Sequence, residues 1–511
     1  MRRKLRILFA AFEAAPFLKT GGLGDVASSL PPALREAGCE VRAVLPKAAS
    51  IPAQFQNRMT HVTEFRVQLG WRDLYCGLEQ LTYNGVTWYF LDNEYYFKRD
   101  GVYGYYDDGE RIAFFSRAIA ECLRYLPGFR CDVLHCNDWH TALAPLFVRT
   151  FYGDDPLYAN VKTILTVHNL KFQGIMSGDV LGDILGLAGD SPAGEQLRTG
   201  DDTINYMQGG LLYSDLLTTV SPTYAREIQT PQYGEHMEGI FHRRREQLHG
   251  ILNGIDTAVF DPAGDESLPA RFTAADRSGK AVCKAALQKE LGLSVDPNVP
   301  LVVMVGRLTE QKGLDLLCDE VPSLLGHVQL AVLGTGERSY GEMLIGYALG
   351  SEGRMSVQTR FDESLAHRMY AGADLLLMPS LFEPCGLAQM IAMRYGTLPI
   401  VRETGGLRDS VLPYERCGNE GTGFAFPDFD AGQMRDAVLR AADLYRRQPD
   451  VFRTLSDNAM AQDFSWKNAA RSYAALYASL HPEVTPWKKT EKKSEKGPVK
   501  SSRKKAEKKE P

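Results

Sequence analysis

Glu383 is the residue of this sequence whose surroundings most favour chemistry. It stands in the segment 380–385, between the apolar run 375–378 and a helix predicted over 386–395. A short continuous apolar run is typical of a parallel strand that is buried on both faces. Because ligands of parallel α/β sheets bind beyond the carboxyl ends of the strands, we expect a substrate to reach this carboxylate. The alternative is a solvated loop carboxylate without a function.

Other turns of the second half also follow short apolar runs. Arg307 and Lys312 lie in the turn after the run 301–305, and the glycine turn 404–406 follows the run 398–401. A helical segment follows the first of these turns, so the second half consists of repeated strand-loop-helix units. We therefore expect one edge of one sheet to carry Glu383, the cations Arg307 and Lys312, and the glycine turn 404–406.

A glycine-rich stretch opens the first helix of the chain. Lys19 begins the sequence Lys-Thr-Gly-Gly-Leu-Gly-Asp, which follows a strand predicted over 5–11 and opens a helix predicted to end near Ala37. Glycines let the backbone approach an anion, the helix amino terminus faces it, and Lys19 adds positive charge. The stretch has the outline of a phosphate cradle, although it matches neither G-x-G-x-x-G nor the P-loop pattern. A purely structural glycine turn is the alternative.

Two polar clusters follow later strands of the first half. Asp138 belongs to the cluster after a strand predicted over 133–136, and His168 belongs to the cluster after a strand predicted over 164–167. Since parallel strands end at the same edge of a sheet, these clusters share an edge with the Lys19 turn. This arrangement favours ligand binding over a buried structural histidine.

Strands, loops and helices alternate in both halves, which predicts an α/β protein. The aromatic-rich stretch 65–106 is predicted to be β structure within the first half. Asn253 and Gly254, with Pro262 after them, indicate a turn and a domain boundary. The predicted divisions are domains over 1–252 and 253–463, a helical region over 464–485 and a tail over 486–511.

The charge balance differs between the body of the chain and its carboxyl-terminal segment. Residues 488–511 carry eleven Lys or Arg and four Glu, which leaves 47 basic and 59 acidic residues before them. An acidic body argues against nucleic-acid binding, which needs a basic stripe to neutralise phosphates. Because the segment 486–511 has almost no apolar residues, it is predicted to be a disordered tail.

Cysteine usage and hydropathy indicate the compartment. The nine cysteines form no C-x-x-C pair, which is typical of a reduced cytosolic enzyme. No apolar run approaches the roughly 18 residues that span a bilayer, and the amino terminus has no convincing cleavage site. We therefore expect a cytoplasmic protein without membrane contact.

Two segments have spacings that metal sites use. The segment 131–140 contains Cys, His and Asp, but alternate residues of a strand point to opposite faces, so the apparent ligands separate. Asp428 and Asp430 have the D-x-D spacing of some metal-dependent sugar transferases. No strand is predicted before them, and Asp430 is predicted to cap a helix. We predict neither a metal site nor a cofactor.

Seven motifs in this order resemble those of bacterial glycogen synthases and plant starch synthases. They begin at Lys19 (KTGGLGDV), Asn137 (NDWH), Thr166 (TVHN), Asn253 (NGID), Gly306 (GRLTEQKG), Glu383 (EPCGL) and Thr404 (TGGL). The resemblance covers residues 5–480 and implies the GT-B fold, with two Rossmann-like domains facing a cleft and a last helix that returns to the first domain. It also implies transfer of glucose from ADP-glucose to the non-reducing end of an α-1,4-glucan, with retention of configuration.

The same resemblance implies roles for individual residues. Arg307 and Lys312 resemble the cations that hold the departing diphosphate, and two such cations can stabilise its charge without a metal. Glu383 resembles the carboxylate on the donor sugar, and His168 the residue that lies against the donor glucose from the other domain. Phe361 stands where an aromatic ring stacks on the base, a position at which family members can carry tyrosine.

Further residues are implied to bind substrate. They are Lys19, Gly22, Asp25, Asp138, Asn253, Cys385, Gly386, Leu387, Thr404 and Gly405. Glycosidases use two carboxylates, whereas the donor half shows one obvious carboxylate here. The incoming sugar hydroxyl is therefore expected to pass its proton to a phosphate oxygen. The expected partners are ADP-glucose and a glucan primer, and the sequence identifies no protein partner.

Three other functions stay open from the sequence. The first is a different GT-B transferase that uses a UDP-sugar, and an assay of the donor sugar nucleotide would distinguish it. A non-catalytic glucan-binding protein is disfavoured by the intact Lys19, Arg307, Lys312 and Glu383. A nicotinamide dehydrogenase is disfavoured because neither half has the G-x-G-x-x-G turn with its acidic partner.

Overall fold

Two mainly parallel sheets dominate the structure, a computed structural model that describes residues 3–200 and 202–484. A nine-stranded sheet lies in the amino-terminal half and a six-stranded sheet in the carboxyl-terminal half. Alternate residues of the first strand enter different apolar clusters, with Ile7 and Phe9 in one and Leu8 and Ala10 in the other. Because both faces of the sheet are covered, its central strands are continuous apolar runs.

Helices and strands follow one another along both halves of the chain. In chain order, the elements of the amino-terminal half are β1 (Arg6–Ala10), α1 (Gly22–Glu36), β2 (Glu40–Pro46), α2 (Ala53–Gln56), β3 (Thr60–Leu69), β4 (Arg72–Tyr83), β5 (Val86–Asp92), α3 (Glu94–Phe97), α4 (Asp108–Cys122), β6 (Val133–Asn137), α5 (Leu143–Phe151), β7 (Lys162–Val167), β8 (Ile175–Ser177), α6 (Val180–Asp183), α7 (Pro192–Leu197), β9 (Arg198–Gly200), β10 (Thr203–Asn205), α8 (Tyr206–Tyr213), β11 (Leu216–Thr219), α9 (Pro222–Glu227), α10 (Glu238–Arg243) and β12 (Leu248–Gly250). Those of the carboxyl-terminal half are α11 (Ser278–Glu290), β13 (Leu301–Val305), α12 (Leu314–Leu325), β14 (Gln329–Leu333), α13 (Arg338–Leu349), β15 (Met355–Gln358), α14 (Glu363–Gly372), β16 (Leu375–Met378), α15 (Ala388–Arg394), β17 (Leu398–Arg402), α16 (Gly405–Ser410), α17 (Tyr414–Cys417), β18 (Phe424–Phe426), α18 (Ala431–Arg447), α19 (Pro449–Met460) and α20 (Trp466–Leu480). Short 3-10 helices lie at Arg245–Gln247, Glu310–Lys312 and Gly418–Glu420.

In each large sheet, the parallel strands run outward in chain order in two directions from one point. The six-stranded sheet runs β15-β14-β13-β16-β17-β18, so the chain moves outward from β13 in one direction and from β16 in the other. The nine-stranded sheet runs β12-β11-β7-β6-β1-β2-β5-β4-β3 and reverses between β1 and β6. Strand β4 is antiparallel to both of its neighbours, and the other pairs of these two sheets are parallel. The predicted α/β class is confirmed, and each reversal opens a crevice at the carboxyl ends of the strands.

Two element boundaries predicted from the sequence are wrong. The predicted β region 65–106 gives way to helix α3, because the Asn93 side chain accepts a hydrogen bond from the Tyr96 N–H at 3.1 Å and caps a helix. The helix predicted from residue 386 begins at Ala388. Gly386 has a φ of 71°, so it lies outside the right-handed helical region.

Helices α9 and α16 join the two halves by reciprocal contacts. The Asp409 carboxylate of α16 accepts hydrogen bonds from the Thr223 N–H and hydroxyl at the start of α9, both at 2.6 Å. The Glu227 carboxylate at the end of α9 accepts hydrogen bonds from the Gly405 N–H at 3.0 Å and the Thr404 hydroxyl at 3.1 Å. Each carboxylate therefore satisfies donors at the amino terminus of the other helix and interacts favourably with its dipole.

The last helix, α20, packs against α1 of the amino-terminal half. Its Tyr473 and Tyr477 are fully buried. The Tyr477 hydroxyl lies 2.7 Å from His135 Nδ1, and His135 Nε2 lies 2.6 Å from the Thr166 hydroxyl. This buried polar chain favours one position of the helix on the sheet, because any shift would leave a buried polar group without a partner.

The structure also bears on the metal and membrane predictions. Asp430 caps α18 as predicted, since its carboxylate accepts a hydrogen bond from the Gln433 N–H at 2.8 Å. Within residues 3–200 and 202–484, no group of three His, Cys, Asp or Glu side chains is arranged to bind a metal. In the same ranges, no helix is long and apolar enough to cross a membrane. The predicted tail, 486–511, lies outside the described residues.

Replacing Tyr477 by phenylalanine tests the contact between α20 and the sheet. Tyr477→Phe keeps the ring and leaves His135 Nδ1 without a partner, so we expect the free energy of unfolding to fall by about 1–3 kcal/mol. Tyr125→Phe is the control, because Tyr125 is 36% exposed and its hydroxyl has no hydrogen bond to the described residues. Denaturant titration of both variants measures the difference. Equal stability of the two variants would contradict the role of this hydrogen bond.

Candidate active site

One cavity lies at the reversal points of both sheets. Its volume is about 580 Å³. The amino-terminal half contributes Glu13, Thr20, Gly21, Gly22, Leu23, Val26, Tyr103, Asp138, Trp139, His140, His168, Asn169, Phe172 and Val220. The rest of the chain contributes Asn253, Gly306, Arg307, Gln311, Lys312, Glu383, Pro384, Cys385, Gly386 and Leu387. A cavity of this size with convergent polar groups, at the carboxyl ends of parallel strands, is the candidate active site.

Glu383 is the central carboxylate of the carboxyl-terminal wall. It follows β16 and is 6% exposed. Its Oε2 atom lies 2.6 Å from the Lys312 ammonium and accepts a hydrogen bond from the Ser380 hydroxyl at 3.0 Å. An ion pair with an additional hydrogen bond offsets part of the cost of burying this charge. The carboxylate is thus held in one orientation at the cavity wall.

The backbone around Glu383 packs closely against the Gly405 turn. Gly405 has a φ of 45°, and a Cβ atom there would lie 2.0 Å from the Glu383 carbonyl oxygen. The Gly406 N–H donates a hydrogen bond to that carbonyl at 3.1 Å. Only glycine permits this approach without displacing the loop that carries the carboxylate.

Arg307 and Lys312 place positive charge on the same wall. Both follow β13, and the 3-10 helix Glu310–Lys312 brings Lys312 back toward Glu383. The Arg307 guanidinium is exposed, and its Nη2 atom lies 3.4 Å from Gln311 Oε1. Because the guanidinium makes no ion pair within the described ranges, its donors can bind an anion in the cavity.

His168 is fixed by its neighbours on the opposite wall. Its Nε2 atom lies 2.9 Å from Asn137 Oδ1, and the Asn137 amide nitrogen donates to the Ala10 carbonyl at 3.0 Å. That second bond orients the amide, so His168 Nε2 is the protonated nitrogen and Nδ1 is an acceptor. Burial lowers the pKa of His168 to about 3, so the ring is neutral at physiological pH.

Asp138 holds the backbone that carries His168. Its Oδ1 atom accepts a hydrogen bond from the His168 N–H at 2.7 Å. Asp138 has a φ of 57° in the turn after β6, a conformation that Asp tolerates better than most residues. Burial raises the pKa of Asp138 to about 7, and the backbone hydrogen bonds from His168 and Asn169 oppose that shift.

Three buried polar atoms of the cavity wall have no hydrogen-bond partner among the described residues. They are the Tyr103 hydroxyl oxygen, Asn253 Oδ1 and His140 Nδ1. Burial lowers the pKa of His140 to about 3, so its ring is neutral. Since buried polar atoms are normally paired, these three are positioned for polar groups of a ligand.

The structure adds cavity residues that were not predicted as site residues from the sequence. Glu13 is 4% exposed, and its Oε2 atom accepts a hydrogen bond from the Thr20 hydroxyl at 2.7 Å. Trp139, His140 and Phe172 supply rings to the same wall. Glu13 lies directly beyond the predicted strand 5–11, and this position at a strand end was the signal that could have identified it.

Comparison with known proteins relates this site to a family. A model of the starch synthase catalytic domain matches residues 6–243, and a model of group 1 glycosyl transferases matches residues 299–443. A glycogen synthase of Desulfitobacterium hafniense is 48% identical over 470 residues, which cover 92% of this chain and 98% of that protein. A glycogen synthase of Geobacillus stearothermophilus is 47% identical over 92% of this chain and 96% of its own length. The chain belongs to the glycogen and starch synthase family.

Solved structures agree with this assignment. The catalytic domain of starch synthase IV from Arabidopsis thaliana, bound to ADP and acarbose, has 34% sequence identity and a TM-score of 0.86, and the match covers 94% of this chain and 99% of that one. A sucrose-phosphate synthase from Thermosynechococcus elongatus has a TM-score of 0.59 at 19% identity, which shows similarity of fold alone. The GT-B fold inferred from the seven motifs is confirmed, and the protein is a glycosyltransferase.

Most residues that the family resemblance assigns to the site line the cavity together. They are Gly22, Asp138, His168, Asn253, Arg307, Lys312, Glu383, Cys385, Gly386 and Leu387. Burial raises the pKa of the Cys385 thiol to about 12, so it is protonated at neutral pH. The structure brings these residues to one place, and their individual roles stay predictions.

Lys19 and Asp25 of the glycine-rich motif do not line the cavity. The Lys19 ammonium lies 2.8 Å from Asp25 Oδ1 and 3.8 Å from Glu363 Oε1 of helix α14. Lys19 therefore joins the two halves through a carboxylate on each, and its contact with a substrate anion stays a prediction. The neighbouring Thr20, Gly21 and Gly22 do face the cavity.

Thr404 and Gly405 lie behind the cavity wall. Thr404 is fully buried, and the donors of both residues contact the Glu227 carboxylate between α9 and α16. Their donors therefore face Glu227 in this arrangement, and the predicted contact of these two residues with glucose or phosphate stays a prediction. The sequence reasoning missed Glu227 because only tertiary structure brings it there.

Phe361 also lies off the cavity wall. It follows β15, directly before the Asp362 cap of α14, and is 79% exposed. An exposed aromatic ring beyond a strand of the nucleotide-side sheet stays compatible with base stacking. That role remains a prediction.

Replacing Gly405 by alanine tests the close packing behind Glu383. Gly405→Ala should lower both the melting temperature and the catalytic rate, because its Cβ would collide with the Glu383 carbonyl and displace the loop. Gly292→Ala is the matched control, since Gly292 has a φ of 69° and no neighbour within 4 Å of a Cβ atom. The control should lose only the backbone cost of about 1–2 kcal/mol. Equal losses in both variants would contradict the packing argument.

Proposed function

We propose that this protein transfers glucose from ADP-glucose to the non-reducing end of an α-1,4-glucan, with retention of configuration and release of ADP. The observation that carries the proposal is the position of Glu383, Lys312 and Arg307 together at the reversal point of the second sheet, facing the first. The similarity to glycogen synthases and to a starch synthase domain bound to ADP and acarbose supports the substrates.

The donor diphosphate is assigned to the wall formed after β13 and β16. Arg307 and Lys312 are the cations there, and the backbone at Gly386 and Leu387 leads into α15. A departing diphosphate gains negative charge as the glycosidic bond breaks, so fixed cations stabilise the transition state more than the ground state. The guanidinium of Arg307 supplies parallel donors, whereas Lys312 supplies a point charge.

Glu383 is assigned to the donor glucose. A carboxylate accepts hydrogen bonds from sugar hydroxyls, and its charge attracts the partial positive charge that develops at the reacting carbon. The 2.6 Å contact with Lys312 connects this carboxylate to the leaving-group side of the site. Loss of the negative charge should therefore destabilise the transition state more than it destabilises the bound donor.

The acceptor glucan is assigned to the opposite wall. Trp139 and Phe172 offer apolar ring faces for sugar C–H groups, and Glu13 and Asp138 offer acceptors for hydroxyls. His168 of the same wall is assigned to the donor glucose, and it presents Nδ1 as an acceptor because its other nitrogen is bonded to Asn137. A neutral histidine at this position can accept a hydrogen bond from a sugar hydroxyl, and it adds no positive charge beside the reacting carbon of the donor glucose.

The route of the acceptor proton follows from the groups present. The carboxyl-terminal wall has Glu383 as its carboxylate, already paired with Lys312. A diphosphate leaving group needs no full protonation, so the acceptor hydroxyl can pass its proton to a phosphate oxygen on the face where it attacks. This front-face route accounts for retention without a second carboxylate of the kind that glycosidases use. We propose that the reaction uses no metal and no cofactor.

The cellular location follows from the thiols. All nine cysteines are free thiols in the structure. Unpaired cysteines are typical of reducing compartments, so we propose that the protein acts in the cytoplasm.

A donor assay tests the proposed function. Transfer to a glucan primer should proceed with ADP-glucose much faster than with UDP-glucose, and the product should contain new α-1,4 linkages. A chelator should leave the rate unchanged, because Arg307 and Lys312 supply the positive charge. Faster turnover with UDP-glucose would identify a different transferase, and a rate that vanished with chelator and returned with manganese would contradict the metal-free assignment.

Replacing Glu383 by glutamine tests the role of its charge. Glu383→Gln keeps the size and one acceptor, so we expect kcat to fall at least ~100-fold with a smaller change in the KM for ADP-glucose. The melting temperature should change little, and circular dichroism verifies folding. Glu403→Gln is the control, since Glu403 is a carboxylate beyond β17 that pairs with Arg416 and lies off the cavity. A folded Glu383→Gln enzyme with more than about a tenth of the wild-type kcat would show that the carboxylate only binds.

A further inference from the structure

A second cavity of similar size lies at the opposite edge of the six-stranded sheet. Its volume is about 590 Å³. Asn298 precedes β13, Asp374 precedes β16 and Gly396 precedes β17, and all three line it. It therefore opens at the amino-terminal ends of the strands, whereas Glu383 lies beyond their carboxyl ends. The two cavities share no lining residue.

Three arginines and one lysine line this second cavity in an otherwise acidic protein. They are Arg277, Lys280, Arg446 and Arg453, and the single carboxylate of the lining is Asp374. That carboxylate is already occupied, because it lies 2.7 Å from the Lys284 ammonium and accepts a hydrogen bond from the Leu301 N–H at 2.8 Å. The wall therefore has excess positive charge, although residues before 488 have more acidic than basic side chains.

Arg277 shows that this positive charge is incompletely compensated. Its guanidinium pairs with Asp457 and donates to the Ser456 hydroxyl at 2.8 Å, but its Nε atom has no hydrogen-bond partner in the described part of the chain. Burial lowers the pKa of Arg277, and the neighbouring positive charge of Arg453 lowers it further. An anion between the two guanidinium groups would relieve this repulsion.

The other three cations have no carboxylate partner within the ranges described. The Lys280 ammonium donates to the carbonyls of Ala371 and Tyr395, both at 3.0 Å, and to the Thr397 hydroxyl at 2.9 Å. Arg446 donates to the His327 carbonyl at 2.5 Å, and Arg453 is exposed. The charge of Arg446 and Arg453 is available to a ligand, whereas burial lowers the pKa of Lys280 to about 7 and its three donors are already used.

The remaining walls are mainly apolar and fit an organic group. Tyr445 and Phe452 pack edge to face at the cavity with ring centroids 5.1 Å apart, and Pro297 and Pro449 lie beside them. The volume lies within the roughly 300–1,000 Å³ of small-molecule sites. Arginine clusters select phosphate by hydrogen bonds in a fixed geometry, while apolar walls select what the phosphate carries.

We propose that this basic cavity binds a small organic phosphate monoester, separately from the catalytic cavity. The phosphate would lie between Arg277 and Arg453, with Arg446 contributing charge, and the organic group would lie against Tyr445 and Phe452. Sugar phosphates and nucleoside monophosphates share this chemistry. The proposal concerns binding alone and does not depend on the assigned reaction.

Calorimetric titration of the full-length protein tests the proposal. AMP, a hexose monophosphate and inorganic phosphate are titrated separately into the wild type, and at least one ester should bind with a dissociation constant below about 1 mM. Arg277→Gln and Arg453→Gln should each weaken that binding about tenfold or more. Arg453 is exposed, so its replacement preserves folding even if Arg277→Gln proves unstable.

Two control variants separate this cavity from other cationic surfaces. Arg447→Gln removes a charge next to Arg446, but Arg447 pairs with Asp443 and lies off this cavity, so binding should be unchanged. Arg307→Ala removes a cation of the catalytic cavity and should also leave this binding unchanged.

Four results would overturn the proposal. Absence of heat with both esters up to about 10 mM would exclude the site. Loss of binding in Arg307→Ala with retention in Arg453→Gln would place the ligand in the catalytic cavity. Equal losses in Arg447→Gln and Arg453→Gln would show attraction by general surface charge. Equal affinity for inorganic phosphate and the esters would show that the apolar walls do not bind the organic group of the ester. The ester that binds more tightly identifies the group that the apolar walls accept.

Discussion

The reciprocal capping of α9 and α16 is the interaction on which the arrangement of the two halves depends. Asp409 satisfies donors at the start of α9, and Glu227 satisfies donors at the start of α16. Each contact combines a charged hydrogen bond with a favourable helix dipole, and neither carboxylate could move away without leaving backbone donors unpaired. The two sheets consequently present their carboxyl edges to a common space, which is the catalytic cavity.

The two edges contribute different chemical groups to the catalytic cavity. The wall of the second sheet carries Arg307 and Lys312 with a single carboxylate, which suits an anionic donor. The wall of the first sheet carries neutral histidines, buried acids and aromatic rings, which suit a polyhydroxyl acceptor. Each wall is built on short loops after rigid parallel strands, and this support holds the groups in position.

The two ends of the second sheet also differ in a way that its parallel topology explains. Residues after the strands converge on the catalytic cavity, and residues before the strands form the basic cavity with α11, α18 and α19. Strand β16 separates the two, and its four residues span roughly 13 Å. A single buried strand therefore has Asp374 at one end and Glu383 at the other.

The sequence by itself determined the α/β class, the strand ends where the site lies, and the family, because these depend on local apolar runs and on contiguous motifs. It also predicted Glu383, Arg307 and Lys312 in turns that follow strands, and their roles stay predictions. Tertiary structure alone decided which neighbours these groups meet. It paired Lys19 with Asp25 and Glu363, and it buried the 404–405 turn against Glu227. Such pairings join residues far apart in sequence, and no local pattern encodes the distance between them.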